Sequence, residues 1–320
     1  MRLNLLAFLR PLGLAGLALA LAAPGMATAS PASTASSARD TARRDASGAD
    51  EPRPAIYLLS DSDTKIYLFG TVHVLPPGFK WRSRAVERVI AEADELIVET
   101  YEPPGRDDYS DAHRQMRLDK PSPILFRVPA EHRKGLKSAI QTSGIPIKYY
   151  DGMQTWAAAM TLGMSQLLGS YGADDADDAP GVEDVLEQVF REAGKPIGSV
   201  ENPGMVVDSL NAIPAEEQAK LLIETITEGS PEELANSGDE DQLWSRGELD
   251  SMARTLFDDF PPALYDALLT RRNRAWTGWL SERLEKPGTI LFAVGAGHLG
   301  GPDSVRKMLE ERGFRLTRVN

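Results

Sequence analysis

The apolar and polar positions of the chain follow first the period of strands and then that of helices. Two β-rich runs, residues 56–59 and 65–69, flank the turn-forming stretch SDSD, so we predict a hairpin at the start of the folded part. In residues 81–93 apolar side chains recur at helical spacing, and residues 94–99 (DELIVE) have the composition of a buried strand. This β-loop-α-β order predicts parallel neighbouring strands and a right-handed crossover.

Helical patterns dominate the middle of the chain, and strands return near its carboxyl end. Residues 229–250 have the composition of an exposed connection with short helical pieces. The other predicted elements are a helix around 131–142, an apolar helix over 153–168, a helix with a Gly194 cap and a strand ending at Glu201, a helix from Pro214, a long helix from about Pro262 to Leu284, a strand over 289–294, a helix over 303–311 and a last strand over 314–319.

The amino-terminal segment has the pattern of an export signal followed by a leader. In residues 1–29, two arginines accompany an apolar run of about a dozen residues, and a small-residue cleavage site follows. Residues 30–54 are small, polar and proline-containing, which is typical of a disordered leader. No later stretch approaches the roughly 20 apolar residues of a transmembrane helix. We therefore predict an exported protein, periplasmic or secreted, with no integral membrane segment after signal removal and one domain over residues 55–320.

Charge and cysteine content narrow the function classes. Removing a signal with two arginines and no acidic residue takes the formal net charge from −12 to −14. Nucleic acids and anionic membranes attract an excess of Lys and Arg, so this balance argues against both as partners. The chain has no cysteine, which excludes disulfides, thiolate metal sites and a cysteine nucleophile.

The stretch LFAVGAGHLGG satisfies G-x-G-x-x-G through Gly295, Gly297 and Gly300, the fingerprint of dinucleotide binding. That fold also requires an acidic residue about 20 positions later and further strands. The chain ends at that distance, and its last residues hold no acid. We therefore predict no NAD site and assign the glycines to a tight turn at a strand end.

Two of the four histidines share a setting. His73 and His298 each end a Gly-x-x-His motif, which begins at Gly70 or Gly295 after an apolar run. Ligands of α/β sheets bind beyond the carboxyl ends of the strands, so we expect both imidazoles on one rim. Two imidazoles with a carboxylate are the composition of a catalytic metal site with an open water position. A hydrogen-bonded structural histidine is the alternative at each position.

Charged residues are expected on the same rim. Glu99 and Glu201 each end a predicted strand, where they could ligate a metal, act as a base, or cap the following turn. Arg272 and Asn273 lie on the apolar face of the predicted helix from Pro262. A buried arginine needs paired carboxylates, so Arg272 either fixes helix against sheet or positions a catalytic glutamate or a substrate oxyanion. A side chain that extends to the edge of the apolar face is the third option.

Five motifs in order give the chain a family resemblance. They are YLFGTVHVLP, LIVE, GVED followed by GKPIGSVEN, RRNRAW and VGAGHLGG. In these motifs the chain resembles the TraB/GumN (TraB/PrgY/GumN) family, which is related to the Tiki metalloproteases. Glu183 stands where the family commonly has Asp, and Asn202 follows Glu201 where many members have Thr.

The resemblance implies an α/β fold: a mixed central sheet with flanking helices, similar to the erythromycin-esterase and ChaN-like folds. It implies a divalent metal, with Mn or Co favoured, held by His73, His298 and Glu99, and a peptide or protein substrate. Glu99 or Glu201 would take a proton from water, and Arg272 with Asn273 would orient an acid or stabilise the developing oxyanion. The first hypothesis is therefore an exported metal-dependent hydrolase acting on peptide bonds. The alternative is a non-catalytic periplasmic binding or envelope-assembly factor using the same cleft.

Overall fold

The computed structural model describes residues 52–73, 75, 78–101, 103, 108–170, 181–228, 238–257 and 260–320. The predicted signal (residues 1–29), all but the end of the predicted leader and the acidic stretch 173–180 lie outside the described residues. No helix among the described residues is long and apolar enough to cross a membrane.

A six-stranded mixed sheet forms the centre of the fold, in the order β4-β3-β5-β2-β1-β6. The four strands from β4 to β2 are parallel, and β1 and β6 continue the sheet in antiparallel pairing. The strands are β1 (Ile56–Ser60), β2 (Thr64–Thr71), β3 (Glu95–Val98), β4 (Ile197–Ser199), β5 (Gly288–Gly295) and β6 (Leu316–Arg318).

Helices surround the sheet and build a second layer beside it. They are α1 (Arg84–Glu92), α2 (Asp108–Gln115), α3 (Arg133–Thr142), α4 (Ile147–Asp151), α5 (Thr155–Ser170), α6 (Val182–Glu192), α7 (Pro203–Asn211), α8 (Ala215–Glu228), α9 (Gly238–Ser245), α10 (Leu249–Phe257), α11 (Pro262–Tyr265), α12 (Arg271–Arg283) and α13 (Val305–Glu311). Short 3₁₀ turns cover Ile124–Phe126, Ala130–His132 and Ala296–His298.

Local sequence explains where several helices begin and end. Ser83 caps α1 by accepting from the Val86 N–H, and Asn202 caps α7 by accepting from the Gly204 N–H. Lys195 closes the other end of α1, where its ammonium donates to three carbonyl oxygens within 3.1 Å. Gly194 follows α6 with φ +66°, a conformation that strains other residues. The predicted Gly194 cap is therefore confirmed.

The core consists of two apolar clusters. One packs both faces of the sheet against α1, α6, α10, α12 and α13, and the other joins α2 to α5 with α7, α8 and α11. The segment from α11 through α12 belongs to both, because Leu268 packs in the helical cluster and Trp276 in the sheet cluster. Arg272 and Asn273 lie between these two residues. Polar groups from both layers can therefore meet beside them.

The predicted α/β class, mixed sheet and flanking helices are confirmed, but the predicted strand neighbours are wrong. β2 and β3 are parallel, yet β5 lies between them. β5 is an uninterrupted apolar strand that is buried along most of its length, so the centre of the sheet is its natural place. Nothing in the local β-loop-α-β order reveals a strand that arrives about 190 residues later.

Two predicted segments also differ in detail. The helix expected from Pro262 to Leu284 changes to π-helical hydrogen bonding over Asp266–Thr270. Within this segment, the Leu268 carbonyl oxygen accepts from the Arg272 side chain at 3.1 Å. In the described part of the expected connection over 229–250, the short helical pieces are present as α9 and the start of α10, but the expected exposure is wrong, because Trp244 is fully buried and donates to the Gly70 carbonyl at 2.7 Å.

Candidate functional site

The two Gly-x-x-His motifs leave the sheet side by side. In the parallel pair of β2 and β5, Gly70 is opposite Val294 and Thr71 is opposite Gly295. His73 follows β2 by two residues, and His298 ends the 3₁₀ turn after β5. The register therefore places both motifs at the carboxyl edge of the sheet, where Glu99 follows β3.

The glycines of these loops serve packing and hydrogen bonding. A Cβ on Gly70 would lie 3.1 Å from the Ala296 Cα, so the two loops touch where a side chain would separate them. The Gly295 N–H donates to the Glu99 carboxylate at 2.7 Å. Gly297 is buried within the 3₁₀ turn. A Cβ on Gly300 would lie 2.2 Å from a carbonyl oxygen of α10. The glycine spacing that imitates a nucleotide fingerprint thus follows from close contacts inside the fold.

Arg272 is the hub of the site, and its side chain is almost entirely buried. Its Nη2 donates to Glu99 at 2.5 Å and to Glu201, and its Nε donates to both Glu201 oxygens at 3.0 and 3.1 Å. Its Nη1 contacts the Leu268 carbonyl and the His298 Nε2, at 3.1 and 3.2 Å. Each of the three nitrogens is thus engaged within the protein. Arg272 is therefore arranged to position acids rather than to contact a substrate oxyanion.

Hydrogen bonds define the tautomer of His298, which is fully buried. The Asn273 Nδ2 donates to the Asp303 carbonyl at 2.7 Å, which turns the Asn273 Oδ1 towards the ring. That oxygen lies 2.6 Å from Nδ1, so Nδ1 carries the proton. Nε2 then accepts from Arg272, which can only donate. His298 is thus held as a neutral imidazole whose two nitrogens already have protein partners.

His73 belongs to a different group of contacts. Its Nδ1 lies 2.6 Å from a Glu183 oxygen, and the other Glu183 oxygen accepts from the Thr71 hydroxyl at 2.7 Å. Its Nε2 is buried and has no hydrogen-bond partner within the described ranges. His73, Glu99 and Glu183 each offer one ligand atom, and these atoms all lie within 4.8 Å of one another. They form the candidate metal-binding trio.

Burial and neighbouring charges shift the pKa values of the two histidines in opposite directions. Burial alone lowers the pKa of His73, but Glu183, with smaller contributions from Glu99 and Asp184, outweighs burial and raises the value to about 9. Burial lowers the pKa of His298 well below 6.5, and Arg272 and His73 lower it further. At neutral pH His73 is therefore charged and His298 neutral, and a metal ion that bound His73 would have to displace its proton. Pairs whose environments separate their pKa values in this way are typical of functional sites.

The two acids next to Arg272 are also shifted. Burial raises the pKa of Glu99 and of Glu201, and the Arg272 charge opposes the shift in both. The Glu201 side chain keeps 11% of its surface exposed, against 2% for Glu99. A Glu201 oxygen also accepts from the Trp276 indole at 3.1 Å. Of the two acids, Glu201 is the one that water can reach.

The structure brings all six predicted polar side chains into one site: His73, Glu99, Glu201, Arg272, Asn273 and His298. It places His298 beside Arg272 and Asn273, while Glu183 takes the place next to His73. In the sequence, Glu183 stands out only as a difference from a family motif. It is brought in by Gly181, where a Cβ would lie 2.4 Å from the His73 carbonyl oxygen. The start of α6 therefore lies directly against the first Gly-x-x-His loop.

Comparisons with known proteins identify sequence relatives of the chain. The model of the "TraB/PrgY/gumN family" matches residues 55–318. Two curated relatives, both named "Uncharacterized protein YbaP", come from Escherichia coli (strain K12) and Shigella flexneri. Each is 26% identical over 265 residues, which cover 80% of this chain and 92% of the relative. No solved structure matches the chain.

Proposed function

Since the chain belongs to the TraB/PrgY/gumN family, we propose that it is a metal-dependent hydrolase that is exported and cleaves peptide bonds. The observation that carries the proposal is the trio of His73, Glu99 and Glu183, whose ligand atoms all lie within 4.8 Å of one another, together with a buried His73 Nε2 that lacks a hydrogen-bond partner in the described part of the chain. Export rests on the pattern of residues 1–29, and the peptide substrate on the resemblance to the Tiki metalloproteases.

The residues present fit a divalent cation. A buried nitrogen without a hydrogen-bond partner is costly, and coordination by a metal satisfies it. One nitrogen of His73 and one oxygen each of Glu99 and Glu183 would hold the ion, and an imidazole with carboxylates suits manganese and cobalt. The predicted ligand His298 is 3.7 Å from Glu99, but its Nε2 would first have to leave Arg272.

The protein's own side chains supply the base and hold the acids in position. When bound, a divalent cation would polarise the scissile carbonyl and lower the pKa of a coordinated water. Glu201 is the proposed base, because it is the more exposed acid and its raised pKa brings it closer to neutral pH. Arg272 holds Glu99 and Glu201 in place. His298, whose ring is fixed by Asn273, accepts a hydrogen bond from one Arg272 N–H and so helps to hold the orientation of the guanidinium.

The experiment compares metal content and cleavage in matched histidine variants. The wild type and His73→Ala are purified, and bound metals are measured by mass spectrometry. Each protein is then incubated with a peptide library in the presence of Mn²⁺ or Co²⁺. His132→Ala is the control, because it makes the same change in a 3₁₀ turn of the helical layer. We expect the wild type and the control to bind metal and cut peptides, and His73→Ala to lose both.

Other outcomes would redirect the interpretation. If the wild type binds no metal and cuts nothing with either ion, the metalloprotease proposal fails. Cleavage without metal that still requires His73 would indicate a histidine acting as base on water. Metal binding without cleavage would favour the binding or envelope-assembly factor, a role that agrees with the nearly complete burial of Glu99 and His298.

A further inference from the structure

A cavity of about 380 Å³ opens beside the site. Its walls are mostly apolar, and the polar groups among them are an acid, a phenol and a guanidinium. The residues that line it are Ala253, Arg254, Phe257, Phe260, Pro262, Tyr265, Gly301, Pro302 and Asp303. A volume of this size suits one large side chain or a small ligand.

The cavity is built on the same two segments that carry the polar hub. One wall is the loop after His298, and the Asp303 carbonyl in that loop holds the Asn273 amide at 2.7 Å. The other wall is the start of the helix that continues to Arg272. Tyr265 precedes Arg272 by seven residues, or about 10 Å along a helix axis. An extended peptide covers that distance in about three residues.

The chemistry of the walls favours a cation. The rings of Phe257, Phe260 and Tyr265 meet edge to face, with centroids 5.9 Å apart in both contacts of Phe257. Asp303 contributes a carboxylate, which accepts from the Tyr265 hydroxyl at 3.2 Å. Aromatic faces and a carboxylate together attract a positively charged group whose methylenes can lie against the rings.

We propose that this cavity is the subsite for a basic side chain, lysine or arginine, of a peptide substrate. The inference rests on the proposed peptidase function. Arg254 is the cation among the described residues that line the cavity, and its guanidinium donates to the Ser251 hydroxyl on α10 at 3.0 Å. That contact holds the guanidinium against its own helix, α10.

The test separates binding from cleavage. Nα-acetyl-lysine methylamide and its norleucine and glutamate analogues are titrated by NMR into isotope-labelled protein. We expect the lysine probe to bind about tenfold more tightly than norleucine, since a charge-assisted contact contributes about 1.4 kcal/mol. Asp303→Asn keeps an acceptor for the Tyr265 hydroxyl but removes the charge, and should reduce that preference to less than about twofold. Glu311→Gln, an equal charge change on the exposed face of α13, should leave it unchanged.

Cleavage then tests the substrate assignment. Peptides with lysine, norleucine or glutamate at each position within four residues of the cut are compared with Mn²⁺ or Co²⁺ present. A lysine preference that disappears in Asp303→Asn supports the subsite. Equal binding of lysine and norleucine, or a preference that survives Asp303→Asn, overturns it. If lysine binds as expected but no peptide is cut, the cation site stands and the peptidase function fails.

Discussion

Replacing Arg272 by methionine tests the hub of the site most directly. The substitution keeps much of the apolar stem but leaves Glu99 and Glu201 as buried acids without their cation. Breaking a buried ion pair from one side typically costs about 3–5 kcal/mol. We expect the free energy of unfolding in urea at pH 7 to fall by about that amount.

Arg271→Met is the matched control, one residue away on the same helix. Arg271 pairs with Asp266 at 2.6 Å, but both side chains are about half exposed, at 49% and 46%. Exposed pairs contribute about 0–1 kcal/mol, so this variant should be nearly as stable as the wild type. Both variants lose one arginine, so the difference between their stabilities measures the effect of burying the ion pair.

Two further measurements identify the cause. Adding Glu99→Gln and Glu201→Gln to Arg272→Met removes the uncompensated charges, so about 2 kcal/mol or more of the stability should return. Lowering the pH from 7 to 5.5 should also reduce the cost, because burial already raises the pKa of both acids and the loss of Arg272 raises it further. If Arg272→Met loses no more than Arg271→Met, the hub does not stabilise the fold and the reasoning is refuted.

Three other changes have definite expected results in urea unfolding. Gly300→Ala should lower the free energy of unfolding by about 2 kcal/mol, because its Cβ would meet a carbonyl oxygen at 2.2 Å. Gly278→Ala is the control: its Cβ has open space around it, so the free energy of unfolding should rise by up to about 1 kcal/mol. Trp244→Phe should cost about 1–3 kcal/mol by leaving the Gly70 carbonyl unpaired, and an unchanged stability would contradict this role. His298 takes up a proton near pH 6.5 only in the unfolded chain, so the wild type should lose stability as the pH falls below 6.5. This loss should exceed the loss in His298→Asn by up to about 1.4 kcal/mol for each pH unit.

The sequence is sufficient to predict most helices and strands and the two histidine loops, because each of them has a local signal. Apolar runs that end in Gly-x-x-His predict strands with a turn at their carboxyl end, and Arg272 and Asn273 on an apolar helix face predict buried partners. The place of β5 between β2 and β3 has no such signal, because it depends on pairings between residues 195 positions apart (Glu95 and Ile290) and 224 positions apart (Ile66 and Ile290). The same holds for Glu183, whose position follows from the packing of Gly181 on the His73 loop.

The contacts of the site separate its residues into two groups with different freedom to act. The nitrogens of Arg272, Asn273 and His298 all contact protein acceptors or donors, so a change in any one of them must disturb another. His73 has one nitrogen held by Glu183 and one nitrogen that no described residue contacts. Metal binding is therefore expected on the His73 side. Substitutions of His73 should change activity more than stability, and substitutions of Arg272, Asn273 and His298 should do the reverse.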